Sequence, residues 1–531
     1  MNKYTLVVLS VTGGLLSGLA WSDWCTGLIL LIAFIPFYII EDHIFKNRKR
    51  YSPNAYFIYL LPGFVIFSLT TMGWMRVASM AGAISVVLGL SFLMAFTMWL
   101  AHLVRIKGGN IAGFISFIVF WLAFELISLN VNIITPWLNL GNGLSKDIMF
   151  IQWYEVTGTA GGSLWILLSN LILARFIISS NGKTLILIMW LMLISVPSSI
   201  SFFRYSTIKI SENEASEVVI IQPNIDPYSE KFIIPFEIQL EKVISMAGNT
   251  VTPNTNWIVT PETTIDDPVN LDDLDNNLYI RNIRDLAVKN PQTCIITGLV
   301  SYRLYPPSEM PPTKSARKTA TSEDYYDHFN SAFRIDKGKI IEVYHKSKLV
   351  PGIEMQFSTG PGRMIARILP NLGGTRWGYG MQDERSNFYH PLLLYSIAPV
   401  ICYESVFGSY VTDYVRKGAR ALFIITNDGW WKGTDGYKQH LSFASLRAIE
   451  TRRPVIRSAN TGISCVIDIR GKRIAETGWW TQEVLKGSFI PENRITPYVK
   501  YGDYILRVSF LISILIILIN FVAIPIRRKA R

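Results

Sequence analysis

The sequence predicts a helical membrane bundle of about eight spans joined to one α/β domain, and three observations predict it. Half of the 531 residues are hydrophobic and only 17% are charged, with a positive mean hydropathy, which excludes a purely soluble chain. The apolar residues gather in long runs before residue 210 and again after residue 500. Between those points the runs shrink to strand length, acidic residues appear, and Pro, Gly, Asn and Asp punctuate the chain. That stretch of about 290 residues is long enough for one large core or a two-layered α/β sandwich.

The apolar runs lie at roughly 5–20, 26–40, 55–75, 80–104, 110–129, 162–180, 183–203 and 505–525. Several reach the roughly 20 residues that cross a bilayer core; the first two are shorter and are separated by Trp21-Ser22-Asp23-Trp24. A removable signal peptide fits the first run poorly, because further spans follow at once. Lys46, Arg48, Lys49 and Arg50, then Arg105 and Lys107, then Arg175 and Lys183, and finally Arg527, Arg528, Lys529 and Arg531 fall at alternate ends of the runs. If these mark the cytoplasmic side, both termini are inside and the odd number of preceding spans delivers the central domain outside, with only Arg76 dissenting. The expected division is a membrane domain at 1–208 with about seven helices, an extracytoplasmic domain at 209–500, and a last helix with a basic tail at 501–531. The net charge of +12 reads as topology and attraction to anionic headgroups rather than as a nucleic-acid surface.

Within the central domain, strands and helices alternate. Strands are expected at Glu217–Gln222, Trp257–Thr260, Thr293–Val300, Asn330–Ile335, Ile340–Tyr344, Leu392–Ile401, Ala421–Thr426, Val455–Arg457 and Ser464–Ile469. Helices are expected at Ser229–Ala247, Leu271–Lys289, from Cys402 to about Arg416, and at Leu441–Thr451. Asp336-Lys337-Gly338-Lys339 reads as a hairpin turn, and a polar insert occupies roughly 304–324. Such alternation implies sheets with helices on their outer faces.

Three charged or reactive side chains stand just beyond strand-like runs: Glu262 after Trp257–Thr260, Lys346 after Ile340–Tyr344, and Cys402 after Pro399-Val400-Ile401. A thiol needs a base or a positive charge to become a nucleophile. Glu262 is suited to take its proton, and Lys346 to favour the thiolate and stabilise an oxyanion. Cys294 and Cys465 read as packed strand residues. No metal-ligand spacing appears and no cofactor is expected.

Thr260-Pro261-Glu262, Tyr344-x-Lys346-x-x-Leu349-Val350-Pro351 and Ile401-Cys402-Tyr403-Glu404, in that order, resemble the Glu-Lys-Cys signature of the nitrilase superfamily of carbon-nitrogen hydrolases. With spans before and after the domain, the whole chain resembles the membrane-embedded branch of that superfamily, the apolipoprotein N-acyltransferases. Gln222-x-Asn224-Ile225, Asn427-Asp428-x-Trp430, Arg447-Ala448-x-Glu450, Arg453-Pro454 and Arg457-Ser458-x-Asn460-x-Gly462 extend the resemblance, as do Trp121-Leu122-x-x-Glu125 and Pro136-Trp137-Leu138-x-Leu140-Gly141 in the membrane part.

The resemblance implies a nitrilase-like α-β-β-α sandwich in a bacterial inner membrane protein, with the catalytic domain on the periplasmic side. It implies ping-pong transfer of an acyl chain from a phospholipid, typically phosphatidylethanolamine, through a Cys402 thioester to the α-amino group of a diacylated apolipoprotein. Glu262, Lys346 and Cys402 are then catalytic, Glu354, Tyr403 and Glu404 supporting, and Trp430 substrate-binding. The family often reads Val-Pro-Phe-Gly-Glu where this chain has Val350-Pro351-Gly352-Ile353-Glu354, and Lys348 competes with Lys346 for one side of a strand. The paired tryptophans Trp430-Trp431 and Trp479-Trp480 suit a headgroup interface, although the second pair fits a core equally well. A membrane-bound amidase using the same triad with water as acceptor is the alternative; a transporter or receptor fits less well, since Glu125 is an isolated intramembrane charge.

Overall fold

The structure is a computed structural model that describes residues 1–179, 181–210, 214–231, 233–338, 341–355 and 378–523. The basic tail Arg527–Arg531 and the hairpin positions Lys339 and Ile340 lie outside the described residues. The chain divides into two compact units, one made of residues 1–76, 80–208 and 501–531 and the other of residues 77–79 and 209–500.

In the first unit, six helices among the described residues are long and apolar enough to cross a membrane, and the apolar helix Lys3–Leu19 is shorter. The helix Met80–Asn130 breaks at Gly109, where φ is +84°. At 1.5 Å per residue its two halves, 80–108 and 110–130, are about 44 Å and about 32 Å long, each enough for a bilayer core of about 30 Å. Small residues let the helices approach: a Cβ on Gly14 would stand 2.1 Å from the carbonyl oxygen of Gly63. Several buried polar groups pair with one another. Glu41 meets His102 Nδ1 at 2.6 Å and also Arg105, while Glu125 accepts from Trp121 Nε1 at 3.1 Å and from the Leu140 N–H at 2.8 Å. Leu185, Met192 and Phe203 are largely exposed, an arrangement that suits lipid rather than water. The chain is a multi-pass membrane protein.

The second unit contains fourteen strands among the described residues, in chain order β1 (Ser216–Gln222), β2 (Thr255–Val259), β3 (Ile265–Asn270), β4 (Cys294–Tyr305), β5 (Arg317–Lys318), β6 (Tyr325–Ile335), β7 (Glu342–His345), β8 (Phe388–His390), β9 (Tyr395–Ile401), β10 (Ala419–Thr426), β11 (Val455–Ala459), β12 (Cys465–Ile467), β13 (Arg473–Glu476) and β14 (Glu483–Phe489). They form two sheets. The first runs β14-β1-β2-β4-β6-β5, with β3 on β4 and β7 on β6; the second runs β13-β12-β11-β10-β9-β8. Side chains alternate between faces. Val219, Ile221, Ile258 and Ile295 pack under the helices Phe236–Gly248 and Leu278–Lys289, while Trp257 points the other way onto Phe423 of β10, with ring centroids 5.1 Å apart. Helices Gly408–Arg416 and Asp435–Thr451 pack on the second sheet. The result is the nitrilase-like α-β-β-α sandwich.

Several boundaries differ from expectation for local reasons. The helix expected from Leu271 starts at Leu278, because the Asn277 side chain accepts from the N–H groups of Tyr279 and Ile280 and caps it there. The helix expected from Ser229 starts at Phe236, after Pro235, which has no N–H to give an earlier turn. The strands β3, β5, β8, β13 and β14 go beyond the expected set. Cys294 and Cys465 are buried strand residues whose thiols desolvation pushes up to about 12.

Candidate active site

Parallel strands bring the loops after their C-terminal ends to one edge of a sheet. β2 and β4 run parallel, as do β9 and β10. Glu262 follows β2, Cys402 follows β9 and Asn427 follows β10, while Lys346 follows β7, which pairs antiparallel with β6. Their side chains meet in one cavity of about 280 Å³, whose wall includes Cys402, Glu262, Lys346, Glu354, Asn330 and Trp430.

Cys402 is held in the left-handed region, at φ +48°, which costs a non-glycine residue about 1–3 kcal/mol. The surroundings enforce that bend. Its carbonyl accepts from Ser405 Oγ at 2.7 Å and from His440 Nε2 at 3.2 Å, and behind His440 lie Asp428, at 3.1 Å from Nδ1, and Arg457, which is paired with Asp428. Burial alone would push the Asp428 carboxyl up; Arg457 and His440 outweigh it and hold the group below the ordinary carboxylate range. Glu404 fastens the other side. Its Oε2 accepts from the Ile401 N–H at 2.9 Å, and its Oε1 from Tyr344 Oη, Tyr410 Oη and the Ser347 N–H at 2.7, 2.9 and 2.7 Å. This buried carboxyl thus ties the end of β9 to the segment after β7, and so holds Cys402 and Lys346 at a set separation.

Glu262 sits before a second left-handed residue, Thr263 at φ +46°. Gly298 on β4 permits the turn, since a Cβ there would stand 2.6 Å from the Pro261 carbonyl oxygen and 2.7 Å from the Glu262 Cα. Lys231 Nζ donates to the Thr263 carbonyl at 3.0 Å. The Glu262 carboxylate accepts from Lys346 Nζ at 2.9 Å, Asn330 Nδ2 at 2.8 Å and the Asn427 N–H at 3.1 Å, and it shares the cavity wall with Cys402.

Lys346 is shared by two carboxylates, with Glu354 Oε1 at 2.8 Å besides Glu262 Oε1 at 2.9 Å. Asn330 Nδ2 also bridges them, 3.0 Å from Glu354. Burial disfavours every charge here. For Lys346, Glu262 and Glu354 outweigh burial and raise the ammonium well above its ordinary value. For Glu262, burial pulls upward, but Lys346 and the surrounding donors leave the carboxyl lowered. Cys402 goes the other way: burial first and the Glu262 charge second raise the thiol well above its ordinary value. The resting site therefore pairs a neutral thiol with a carboxylate and an ammonium. Such a set can pass a proton from sulfur to carboxylate while presenting a positive charge to a developing oxyanion.

Of the residues singled out in the sequence, Cys402, Glu262, Lys346, Glu354 and Trp430 share the cavity wall. Tyr403 and Glu404 do not line it; Tyr403 packs edge-on against Phe407, with ring centroids 5.1 Å apart. Lys348 also lies off the wall, its Nζ 4.9 Å from the centre of the Phe407 ring. Gly352, at φ +78°, turns the chain so that Glu354 faces Lys346 despite the shifted glycine. Trp430 contacts Tyr228 at a centroid distance of 5.5 Å, and Trp479 stacks on Tyr437 at 3.6 Å. Sequence reasoning misses Asn330, Lys231 and His440. Asn330 is a neutral residue inside a strand and His440 a lone histidine in a helix, so neither leaves a local signal.

The carbon-nitrogen hydrolase family matches residues 234–493, and the apolipoprotein N-acyltransferase N-terminal domain matches residues 13–172. The apolipoprotein N-acyltransferase of Chlorobaculum tepidum is 27% identical over 94% of this chain and 93% of its own length. That of Haemophilus influenzae is 25% identical over 100% of this chain and 97% of its own. Among solved structures, the chain is similar to Saccharomyces cerevisiae Nit3, a member of branch 10 of the nitrilase superfamily, with 16% identity and a TM-score of 0.37 over 55% of this chain and 93% of that one. Matched in its helical and its sandwich parts alike, the chain belongs to the apolipoprotein N-acyltransferase family, the membrane-embedded acyltransferases of the carbon-nitrogen hydrolase superfamily.

Proposed function

We propose that the chain moves a fatty acyl group from a phospholipid, with phosphatidylethanolamine the expected donor, to the α-amino group of a diacylglyceryl-cysteine at a lipoprotein's N-terminus. Cys402, Glu262 and Lys346 are the catalytic residues of this reading. The observation that carries it is the Lys346 ammonium seated 2.9 Å from Glu262 and 2.8 Å from Glu354 in the cavity that holds the Cys402 thiol.

In the first half-reaction Glu262 takes the thiol proton as sulfur bonds to the ester carbonyl carbon, and the carbonyl pair moves onto oxygen beside Lys346. The bond from carbon to the glycerol oxygen then breaks, Glu262 returns the proton to that oxygen, and a lysophospholipid leaves. In the second, the neutral amine attacks the thioester and passes a proton to Glu262. The carbon–sulfur bond breaks and the proton goes to Cys402. Glu354 balances the Lys346 charge, Tyr403 and Glu404 support the loop that carries the thiol, and Trp430 offers an aromatic wall to the lipid.

The basic loops and the odd number of preceding spans favour a bacterial inner membrane location with residues 209–500 as a periplasmic catalytic domain. Donor and acceptor are both membrane-anchored there, which raises their local concentration. The test is mass analysis of purified protein incubated with phosphatidylethanolamine. An acyl mass on Cys402 that disappears when a diacylated peptide is added supports transfer. A preparation that never acquires the adduct, or that discharges it to water as fast without peptide, overturns it.

A further inference from the structure

One residue of the cavity wall carries a side-chain hydrogen-bond donor that the acyl-transfer steps leave unused. Asn427 is 4% exposed and lines the cavity with Cys402 and Glu262. Its place follows from register: β9 and β10 are parallel with Ile425 opposite Ile401, so Cys402 and Thr426 are the next pair and Asn427 stands one residue beyond. Its backbone N–H serves Glu262 at 3.1 Å. Its side chain is left for something else.

Which end of that amide is the nitrogen can be worked out from its neighbours. The Ile225 N–H donates to Asn460 Oδ1 at 3.0 Å, and Asn460 Nδ2 donates to the Ile225 carbonyl at 2.7 Å. A backbone N–H only donates and a carbonyl only accepts, so Asn460 has one orientation. Its Nδ2 then donates at 3.3 Å to Asn427, whose nearer atom is therefore Oδ1. Asn427 Nδ2 is the other end, and it is buried without a hydrogen-bond partner among the described residues. Buried amide donors are rarely left unpaired, because the lost hydration is not recovered.

The geometry points to Asn427 as a further catalytic residue, whose Nδ2 donates to the carbonyl oxygen of the acyl group as that oxygen becomes an oxyanion, together with Lys346. The inference rests on the acyl-transfer reading of the site. A neutral donor suits the position: it adds stabilisation where charge develops without altering the balance of Lys346 between Glu262 and Glu354. Both half-reactions pass through a tetrahedral centre on the same carbon, so both should use it.

The experiment times the two half-reactions separately in wild type, Asn427→Ala and the isosteric Asn427→Asp. Acyl-enzyme formation from phosphatidylethanolamine and discharge of preformed acyl-enzyme to a diacylated peptide are followed by mass, with alkylation of Cys402 by iodoacetamide as a control that forms no oxyanion. The expected result is a loss of about 10²–10³-fold in both rates, larger for Asn427→Asp, with unchanged dependence on lipid concentration and, in Asn427→Ala, unchanged alkylation. A loss confined to the first half-reaction makes Asn427 a headgroup or leaving-group contact and overturns the inference. So does parallel loss of alkylation in Asn427→Ala, which marks a structural role, and so does full activity in that variant. A wild-type protein that never forms the acyl-enzyme overturns the acyl-transfer reading itself and is told apart in the first measurement.

Discussion

His440 Nε2 lies 3.2 Å from the carbonyl oxygen of Cys402, which places a helix residue directly behind the strained bend that presents the thiol. Removing the imidazole leaves Ser405 as the remaining donor to that carbonyl. His440→Ala is expected to lower the rate of acyl-enzyme formation about 10²-fold through displacement of the sulfur, and His440→Gln to recover part of it, because its amide can still donate. Pre-steady-state mass measurements at saturating lipid check this; a variant as fast as wild type would show that the clamp is dispensable.

Lys346→Met is expected to cost about 3–5 kcal/mol of stability as well as all activity, since it leaves Glu262 and Glu354 buried without their cation. Thermal unfolding in detergent reads the loss. Lowering the pH should narrow the gap to wild type, because a protonated carboxyl no longer needs the ammonium.

The same pair sets the pH response. Glu262 is lowered from its ordinary 4.5, so its contribution to stability is present above that value and is lost as pH falls through its lower folded value. Lys346 is raised from 10.5, so its contribution is complete below that value and is lost only as pH rises through its higher folded value. Between the two ordinary values this pair should add no slope to stability. Equilibrium unfolding of wild type against Glu262→Gln across that range tests the point.

Cys402 rests as a thiol, raised well above its ordinary 9.0 by burial and then by Glu262. Its alkylation by iodoacetamide should therefore be slow at neutral pH and keep climbing beyond pH 9 without a plateau. A plateau near neutrality, the mark of a stable resting thiolate, would contradict a neutral sulfur beside an ionised Glu262.

Gly298→Ala is expected to shift the Glu262 loop, because the new Cβ would meet the Pro261 carbonyl oxygen at 2.6 Å. Activity should fall by about 10²-fold with the protein still folded. Comparing its alkylation profile with wild type shows whether the carboxylate has moved away from sulfur.

Much of the site is readable in the chain because its reactive residues end apolar runs: Pro399-Val400-Ile401 stops at Cys402 and Trp257–Thr260 stops before Glu262. Their assembly is not readable, since it depends on two separate sheets and on Glu404 tying β9 to the segment after β7. β13 and β14 are hidden for a different reason. Arg473–Glu476 is largely exposed and Glu483–Phe489 mostly exposed or half-buried, so burial does not impose the apolar patterning that marks β1 or β10. The motif Asn427-Asp428-x-Trp430 is visible as letters. Which way its first amide points depends on Asn460 and Ile225, both distant in sequence.

Pairing of β1 with β14 sets Ser216 opposite Phe489, and Arg494 reaches the Lys209 carbonyl at 3.1 Å. The polypeptide thus comes into the sandwich and goes out of it side by side, as an insert does in a host. A short spacer bridging those two points should close the excised sandwich into a ring, or let new ends be cut elsewhere, with every contact around Cys402 preserved.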